Sequence, residues 1–316
     1  MEKYVIGVDI GGTNTDIGIV SDAGKCLARR RISTQAFIDA ELYADSLAET
    51  INALIAERQP CVVSGVGIGA PNAHFYSGTI DNAPNLPFKG KIYLKKMLEE
   101  RLGLPVVLTN DANAAAYGEL VYGGGRGMSD FIMLTLGTGV GSGIVSGGKV
   151  VYGHDGFAGE LGHVITFPGG RLCSCGRRGC LEEYASVRGI IQNFWELAEK
   201  TGFKSPLLEV KKSEIDCIMI GNAAEAGDAL AKATVEYTGS VLGLALANVV
   251  AITSPKAIFI MGGPSKLPEL LPAIRKSMED NLLSSYKGKV EVRFSELDGN
   301  DVAILGAAAM VLAENV

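Results

Sequence analysis

Apolar residues fall along this chain in short runs that stop at glycines, and these runs alternate with stretches of helical spacing. Tyr4 to Ile10 is an apolar run that breaks at Gly11-Gly12-Thr13-Asn14 and resumes at Ile17 to Val20, which predicts a β-hairpin with a glycine turn. Phe131 to Val145 repeats the pattern, with Gly137-Thr138-Gly139-Val140-Gly141-Ser142-Gly143 between its two runs. The repeat, about half the chain away, predicts two similar α/β lobes facing each other across a cleft. Helical spacing predicts an amphipathic helix over Ala40 to Arg58, with Leu42, Leu47, Ile51, Leu54 and Ile55 on its apolar face. Further helices are expected over Lys91 to Leu102, Ala112 to Glu119, Ser186 to Lys200, Asp228 to Thr253 and Val302 to Ala313. Further strands are expected over Cys61 to Ile68, Pro105 to Thr109 and Lys256 to Met261, and Ser205 to Ile220 reads as polar and irregular. The last helix, capped by Asp301, is expected to pack back on the first lobe. That gives a small lobe of 1–118 plus 301–316 and a large lobe of 119–300.

Composition narrows the function classes. With 316 residues, of which 47% are hydrophobic, the chain can build a core in each lobe. A net charge of -6 argues against a nucleic-acid partner, whose usual footprint is a basic face. The 41 glycines cluster beside apolar runs, a pattern that suggests loops approaching phosphate. Met1 to Tyr4 lead straight into the first strand with no apolar signal segment, so a cytoplasmic location is expected. Val241 to Gly263, the most apolar region, is interrupted at Asn248, Thr253, Ser254, Pro255 and Lys256, so no membrane insertion is expected. Cys26, Cys61 and Cys217 are scattered in apolar contexts and read as buried thiols.

The densest chemistry lies in Gly159-Glu160-Leu161-Gly162-His163 and in Cys173-Ser174-Cys175-Gly176-Arg177-Arg178-Gly179-Cys180-Leu181-Glu182. The spacing C-x-C-x4-C brings three sulfurs towards one centre, and His163 completes a Cys3His set that suits tetrahedral zinc. A disulfide knuckle or free thiols are the alternatives, although C-x-C geometry rarely bonds within itself. Glu160 and Glu182 flank the ligands. The metal then reads as a clamp holding two acidic hydrogen-bond acceptors against something polar.

Both glycine turns offer backbone N–H groups and a threonine hydroxyl to an anion. As a pair, with Asp9 beside the first, they predict a nucleoside triphosphate held between the lobes, Asp9 helping to hold magnesium. Pro105 to Thr109 delivers Asn110 and Asp111 to the C-terminal end of a strand, the edge where open α/β sheets bind ligands. Asp111 has two readings there: helix N-cap, or the base that takes a proton from a hydroxyl attacking phosphorus while Asn110 holds the same substrate. The prolines of Ala83-Pro84-Asn85-Leu86-Pro87 fix an extended loop that could present Asn85, and Gly262-Gly263 could let a flat base slide against backbone.

Taken together these residues resemble the ROK family of sugar kinases and regulators, over essentially the whole chain. The most specific family pattern, G-H-x9-11-C-x-C-G-x2-G-C-x-E, is met from Gly162 and His163 through Cys173, Cys175, Cys180 and Glu182. The resemblance implies a two-lobed actin-like and hexokinase-like (ribonuclease H-like) ATPase fold. It implies Asp111 as catalytic base and Asn110, Glu160, His163 and Glu182 as sugar ligands, His163 also binding the metal. It further implies transfer of the ATP γ-phosphate to the 6-hydroxyl of a hexose, and an assembly of at least two copies. Asp9, Gly11, Gly12, Thr13 and Asn14 match the first phosphate motif and Gly137, Thr138 and Gly139 the second. Gly262 and Gly263 match the nucleotide-side glycines, where Pro264 departs from the usual residue. Regulators of the family carry a helix-turn-helix ahead of the first strand, and this sequence starts that strand at Tyr4, so catalysis is the expectation. The loops Gly69-Ala70-Pro71-Asn72 and Ala83-Pro84-Asn85-Leu86 are similar to those of the family's glucose kinases. Glucose is the expected substrate; an N-acetylhexosamine, fructose or mannose, or a non-catalytic sugar-responsive role, is the alternative.

Overall fold

The computed structural model describes residues 3–297 and 301–314. Its contacts divide the chain into two units: Met1–Ser129, Gly143–Ala158 and Ser295–Val316 form one, and Asp130–Ser142 with Gly159–Phe294 form the other. The sequence places the divide at residues 118 and 300, and the second of these lies outside the described residues.

The first unit is built on the predicted hairpin. Strands β1 (Lys3–Ile10), β2 (Asn14–Ser21) and β3 (Cys26–Ser33) are antiparallel neighbours. Helix α1 (Ala40–Ala56) follows, then β4 (Val62–Gly69), parallel to β1. Next come the short strands β5 (Ala73–His74), β6 (Thr79–Asp81) and β7 (Lys91–Ile92), which form a small sheet of their own. Helix α2 (Leu94–Leu102), strand β8 (Val106–Thr109) and helix α3 (Asp111–Val121) complete the run. The main sheet has the order β3-β2-β1-β4-β8. Its alternating apolar side chains bury Ile6, Val8, Ile19 and Ile68 against Leu47, Ile51 and Leu98 of α1 and α2.

Two details depart from the sequence reading. Leu42 is 61% exposed, and the buried stripe of α1 runs instead through Tyr43, Ala44, Leu47, Ala48, Ile51 and Leu54. Lys91 and Ile92 belong to β7, so α2 starts only at Leu94, and it stops at Gly103 in a left-handed conformation as expected.

The opposite face of the sheet carries the C-terminal helix Val302–Ala313, whose Ile304, Ala308 and Val311 meet Val5 and Val20. Here the helix backbone lies directly on the strands. A Cβ at Gly7 would stand 2.1 Å from the Ile304 carbonyl oxygen, and one at Gly67 1.8 Å from that of Ala307. Part of the glycine excess therefore serves helix–sheet approach and not phosphate loops. Asp301 stands at the start of this helix, but its carboxylate accepts from Arg29 Nη1 at 3.2 Å and makes no cap hydrogen bond.

The second sheet repeats the order of the first: β11-β10-β9-β12-β13. Strand β9 (Phe131–Leu136) leads through the second glycine turn into β10 (Val140–Ser146) and β11 (Lys149–Val150); the divide between the units runs through β10. The second unit continues with α4 (Glu182–Ala185), α5 (Val187–Thr201), α6 (Cys217–Glu225) and α7 (Ala229–Thr253). It closes with β12 (Ala257–Gly262), α8 (Leu270–Asn281) and β13 (Glu291–Phe294), β12 being parallel to both β9 and β13. The end of the region read as irregular, residues 217–220, is thus the start of helix α6, which Asp216 caps by accepting from Met219 N–H at 2.7 Å. Helix α7 has the length and apolar composition to cross a membrane, but it packs against α5, α6 and α8, and Leu230, Val235, Leu242, Leu246 and Val250 are buried.

Candidate active site

In the first unit the parallel strands bring one row of residues to a common edge. Asp9 of β1 pairs with Gly69 of β4, which pairs with Thr109 of β8, and Asn110 and Asp111 follow at once. Asn110, not Asp111, is the N-cap of α3: its side-chain oxygen accepts from Asn113 N–H at 2.7 Å. Capping therefore does not occupy Asp111, which sits one position later and takes a hydrogen bond from Ala112 N–H at 2.9 Å. Its side chain reaches solvent, yet protein packs closely enough around it that desolvation raises its pKa. Asp9 is pushed up to about 6, first by burial and then by the charges of Asp111 and Asp16. Asp16, the other acid of the hairpin, is paired with Arg31 through two contacts of 2.8 Å. Asp9 is left as a hard oxygen donor with no cation paired to it among the described residues, which fits a magnesium ligand.

The first glycine turn is tight: Gly11 N–H donates to the Asn14 carbonyl at 2.9 Å, and Thr34 N–H donates to that of Thr13 at 2.9 Å. The Thr13 side chain is exposed. Asn85 lies against this turn, for a Cβ at Gly12 would meet the Asn85 carbonyl oxygen at 2.9 Å and its Cβ at 3.1 Å. The first unit thus gathers Asp9, Gly11, Gly12, Asn85, Asn110 and Asp111.

In the second unit, Leu161–His163 form a 3-10 turn with Glu160 at its N-cap position, so positions 160 and 163 lie on one side. The Glu160 side chain is exposed. The cysteine hairpin folds by Cys173 N–H donating to the Arg177 carbonyl at 2.8 Å and Gly176 N–H to that of Cys173 at 2.9 Å. Cys173 Sγ lies 3.7 Å from His163 Nδ1, and Cys175 Sγ lies 3.6 Å from Cys180 Sγ. All four donor atoms stand within 4.8 Å of one another. Metal–ligand bonds of about 2.0–2.3 Å at tetrahedral angles need edges of roughly 3.5–3.8 Å, so the set fits a zinc-sized ion. Nδ1 faces the thiols, which leaves His163 Nε2 for another partner. Arg177 Nη2 donates to the His163 carbonyl at 2.8 Å and ties the two halves of the set.

Glu182 does more than flank the ligands. Its Oε2 accepts from Val140 N–H at 3.0 Å and would lie 2.5 Å from a Cβ at Gly139. The carboxylate is thereby anchored to the second glycine turn, whose Gly137 N–H donates to the Gly139 carbonyl at 2.9 Å and leaves Thr138 exposed. Arg171, absent from the sequence reading, holds the hairpin from behind. Its guanidinium bonds Glu196 at 2.9 Å, donates to the Glu183 carbonyl at 2.5 Å and stacks 4.4 Å over Tyr184.

At the end of β12, Gly262 has φ 109°, and a Cβ there would meet the Leu136 carbonyl oxygen at 1.9 Å. Gly263 follows at the rim of a cavity of about 520 Å³ lined by Val187, Cys217, Gly221, Leu267 and Pro268. Pro264 is buried beneath the turn. Sequence reasoning misses this cavity because the first residues of α6, one of its walls, fall in the stretch Ser205 to Ile220 that reads as irregular; the Asp216 cap ahead of Cys217-Ile218-Met219-Ile220 is the signal available.

The ROK family pattern matches residues 5–314. The chain is 36% identical to a glucokinase of Thermotoga maritima over 97% of its own length and 96% of the relative's. To a glucokinase of Halalkalibacterium halodurans it is 34% identical, covering 98% of this chain and 95% of that one. Among solved structures it is similar to a ROK family glucokinase from Streptomyces griseus in complex with glucose and AMPPNP, with a TM-score of 0.77 and 35% identity over 97% of this chain and 98% of that one. It is similar as well to a ROK hexokinase from Thermus thermophilus, with a TM-score of 0.83 and 30% identity over 99% of each chain. The hairpins, the edge that carries Asp9 and Asp111, and the Cys3His set all lie inside the matched span, and the chain belongs to the ROK family.

Proposed function

We propose that this chain is an ATP-dependent hexose kinase whose preferred acceptor is glucose, which it converts to glucose 6-phosphate. The observation that carries the reading is Asp111: a carboxylate at a strand's end, relieved of capping by Asn110 and raised in pKa by desolvation, has the position and basicity of a proton acceptor. In the reaction Asp111 takes the proton of the sugar 6-hydroxyl as that oxygen attacks the γ-phosphorus, the bond to the β–γ bridging oxygen breaks, and ADP leaves. Asn110 and Asn85 hold hydroxyls of the same sugar, as do Glu160, Glu182 and His163 through Nε2. Gly11 and Gly137 close their turns with their own N–H groups, so the backbone N–H groups of Gly12 and Gly139, with Thr13, Asn14 and Thr138, receive the phosphates. The adenine fits the cavity beside Gly262 and Gly263, where apolar Val187 and Leu267 offer faces for a flat ring.

Asp9 would hold magnesium, which supplies charge neutralisation to the phosphates. His163, Cys173, Cys175 and Cys180 would hold zinc, whose contribution is to fix the shape of the sugar-binding loops. The reading includes a cytoplasmic setting, where ATP is at hand, no membrane or nucleic-acid partner, and assembly as a homodimer or higher oligomer.

The test is ADP release with glucose, mannose, fructose, glucosamine, N-acetylglucosamine and N-acetylmannosamine as acceptors. The highest kcat/KM is expected with glucose; ADP release with none of them would overturn the enzymatic reading in favour of a sugar-responsive regulator.

A further inference from the structure

The loop that presents Asn85 is held by a residue outside every motif above. Lys89 Nζ stands 2.7 Å from the Leu86 carbonyl oxygen, 3.2 Å from that of Ala83 and 3.2 Å from that of Pro84. An ammonium carries three N–H donors and no acceptor, and these three carbonyls, on both sides of Asn85, use all of them. The loop is closed at its base as well: Asn82 N–H donates to the Gly90 carbonyl at 3.0 Å, and Gly90 N–H donates to Asn82 Oδ1 at 3.0 Å. Ala83, Leu86 and Phe88 are buried, so the turn is anchored below while Asn85 and Pro84 stay exposed at its tip. The tip is also the part that touches the first glycine turn at Gly12.

We infer that Lys89 is a positioning residue for sugar recognition: by drawing three loop carbonyls onto one ammonium it fixes the backbone from which Asn85 reaches the acceptor. Leu86 N–H also donates to the Ala83 carbonyl at 3.2 Å, but among the described residues only the Lys89 ammonium reaches all three oxygens. Without it, two prolines restrict φ at 84 and 87 and the turn bond from Leu86 N–H to the Ala83 carbonyl remains, but the Pro84 and Leu86 carbonyls on either side of Asn85 lose their tie and the amide shifts. The inference rests on the reading of Asn85 as a sugar ligand, so the experiment separates the two.

Steady-state kinetics with glucose are measured for the wild type, Lys89→Met, Asn85→Ala and the double variant, each checked for its melting temperature. Lys89→Met keeps the stem and removes the donors. It is expected to raise the glucose KM roughly tenfold, the scale of one charge-assisted hydrogen-bond set, with kcat within about twofold. Because Lys89 acts through Asn85, the double variant is expected to match Asn85→Ala alone; a lysine of merely structural role would add its effect to that of Asn85→Ala. A wild-type KM in Lys89→Met beside a raised KM in Asn85→Ala, or additive effects, would overturn the inference. A wild-type KM in Asn85→Ala would overturn the reading of Asn85 and the inference with it. Should Lys89→Met fail to fold, Lys89→Arg serves instead: its flat fork of donors cannot point at three converging carbonyls, and the same rise in KM is expected.

Discussion

At the scale of single residues, the acids of the first unit divide the work by environment. Asp16 is paired with Arg31, Asp111 has its pKa raised by desolvation, and Asp9 sits at about 6 under burial and the charges of Asp111 and Asp16. A carboxyl whose folded pKa lies above its unfolded value binds more protons folded than unfolded between those two values. Stability is therefore lost as pH rises from about 4 to 6. In metal-free protein, Asp9→Asn removes this penalty. Its melting temperature relative to wild type is expected to rise across that window, to a gain of about 1–3 kcal/mol at pH 7. A difference independent of pH would contradict the burial account of Asp9. The sequence made Asp9, Asn110 and Asp111 legible because they end apolar runs, but not which of the last two caps the helix. Both residue types are good caps, and only the hydrogen bond from Asn113 N–H to Asn110 decides.

At the scale of elements, the cysteine hairpin was the most legible part of the chain, since its spacing and its glycines leave few ways to arrange three thiols. The anchoring of Glu182 to Val140 N–H was not legible, because it joins residues 42 apart through a backbone contact that no side-chain pattern records. That contact couples the hairpin to the second glycine turn. If the Cys3His set holds zinc as proposed, Cys175→Ala, at its exposed member, is expected to lower bound zinc well below one per chain, to lower the melting temperature, and to raise the glucose KM several-fold through displaced His163 and Glu182. Zinc content by mass spectrometry and glucose titration check this. A folded, zinc-free variant with unchanged glucose affinity would contradict it. Glycines were partly misread at this scale: Gly7 and Gly67 lie in strands, and their reason is the helix lying across them, which a linear sequence does not reveal.

At the scale of the whole molecule, the repeat of strand, glycine turn and strand becomes two sheets with the same strand order, β3-β2-β1-β4-β8 and β11-β10-β9-β12-β13. Two similar α/β halves could be read from the chain because apolar runs and glycine turns are local signals. The units' composition could not, since the C-terminal helix and Gly143–Ala158 join the first unit through contacts far apart in sequence. The cavity beside Gly263 escaped for the same reason, its walls coming from α5, α6 and the turn after β12. The account stands on Asp111 as the proton acceptor of a glucose kinase. The most direct measurement is kcat with glucose and ATP for Asp111→Asn beside glucose affinity by calorimetry. Loss of a general base is expected to lower kcat by at least roughly 10²-fold while glucose Kd stays within a few-fold of wild type. Turnover near the wild-type rate would contradict the account.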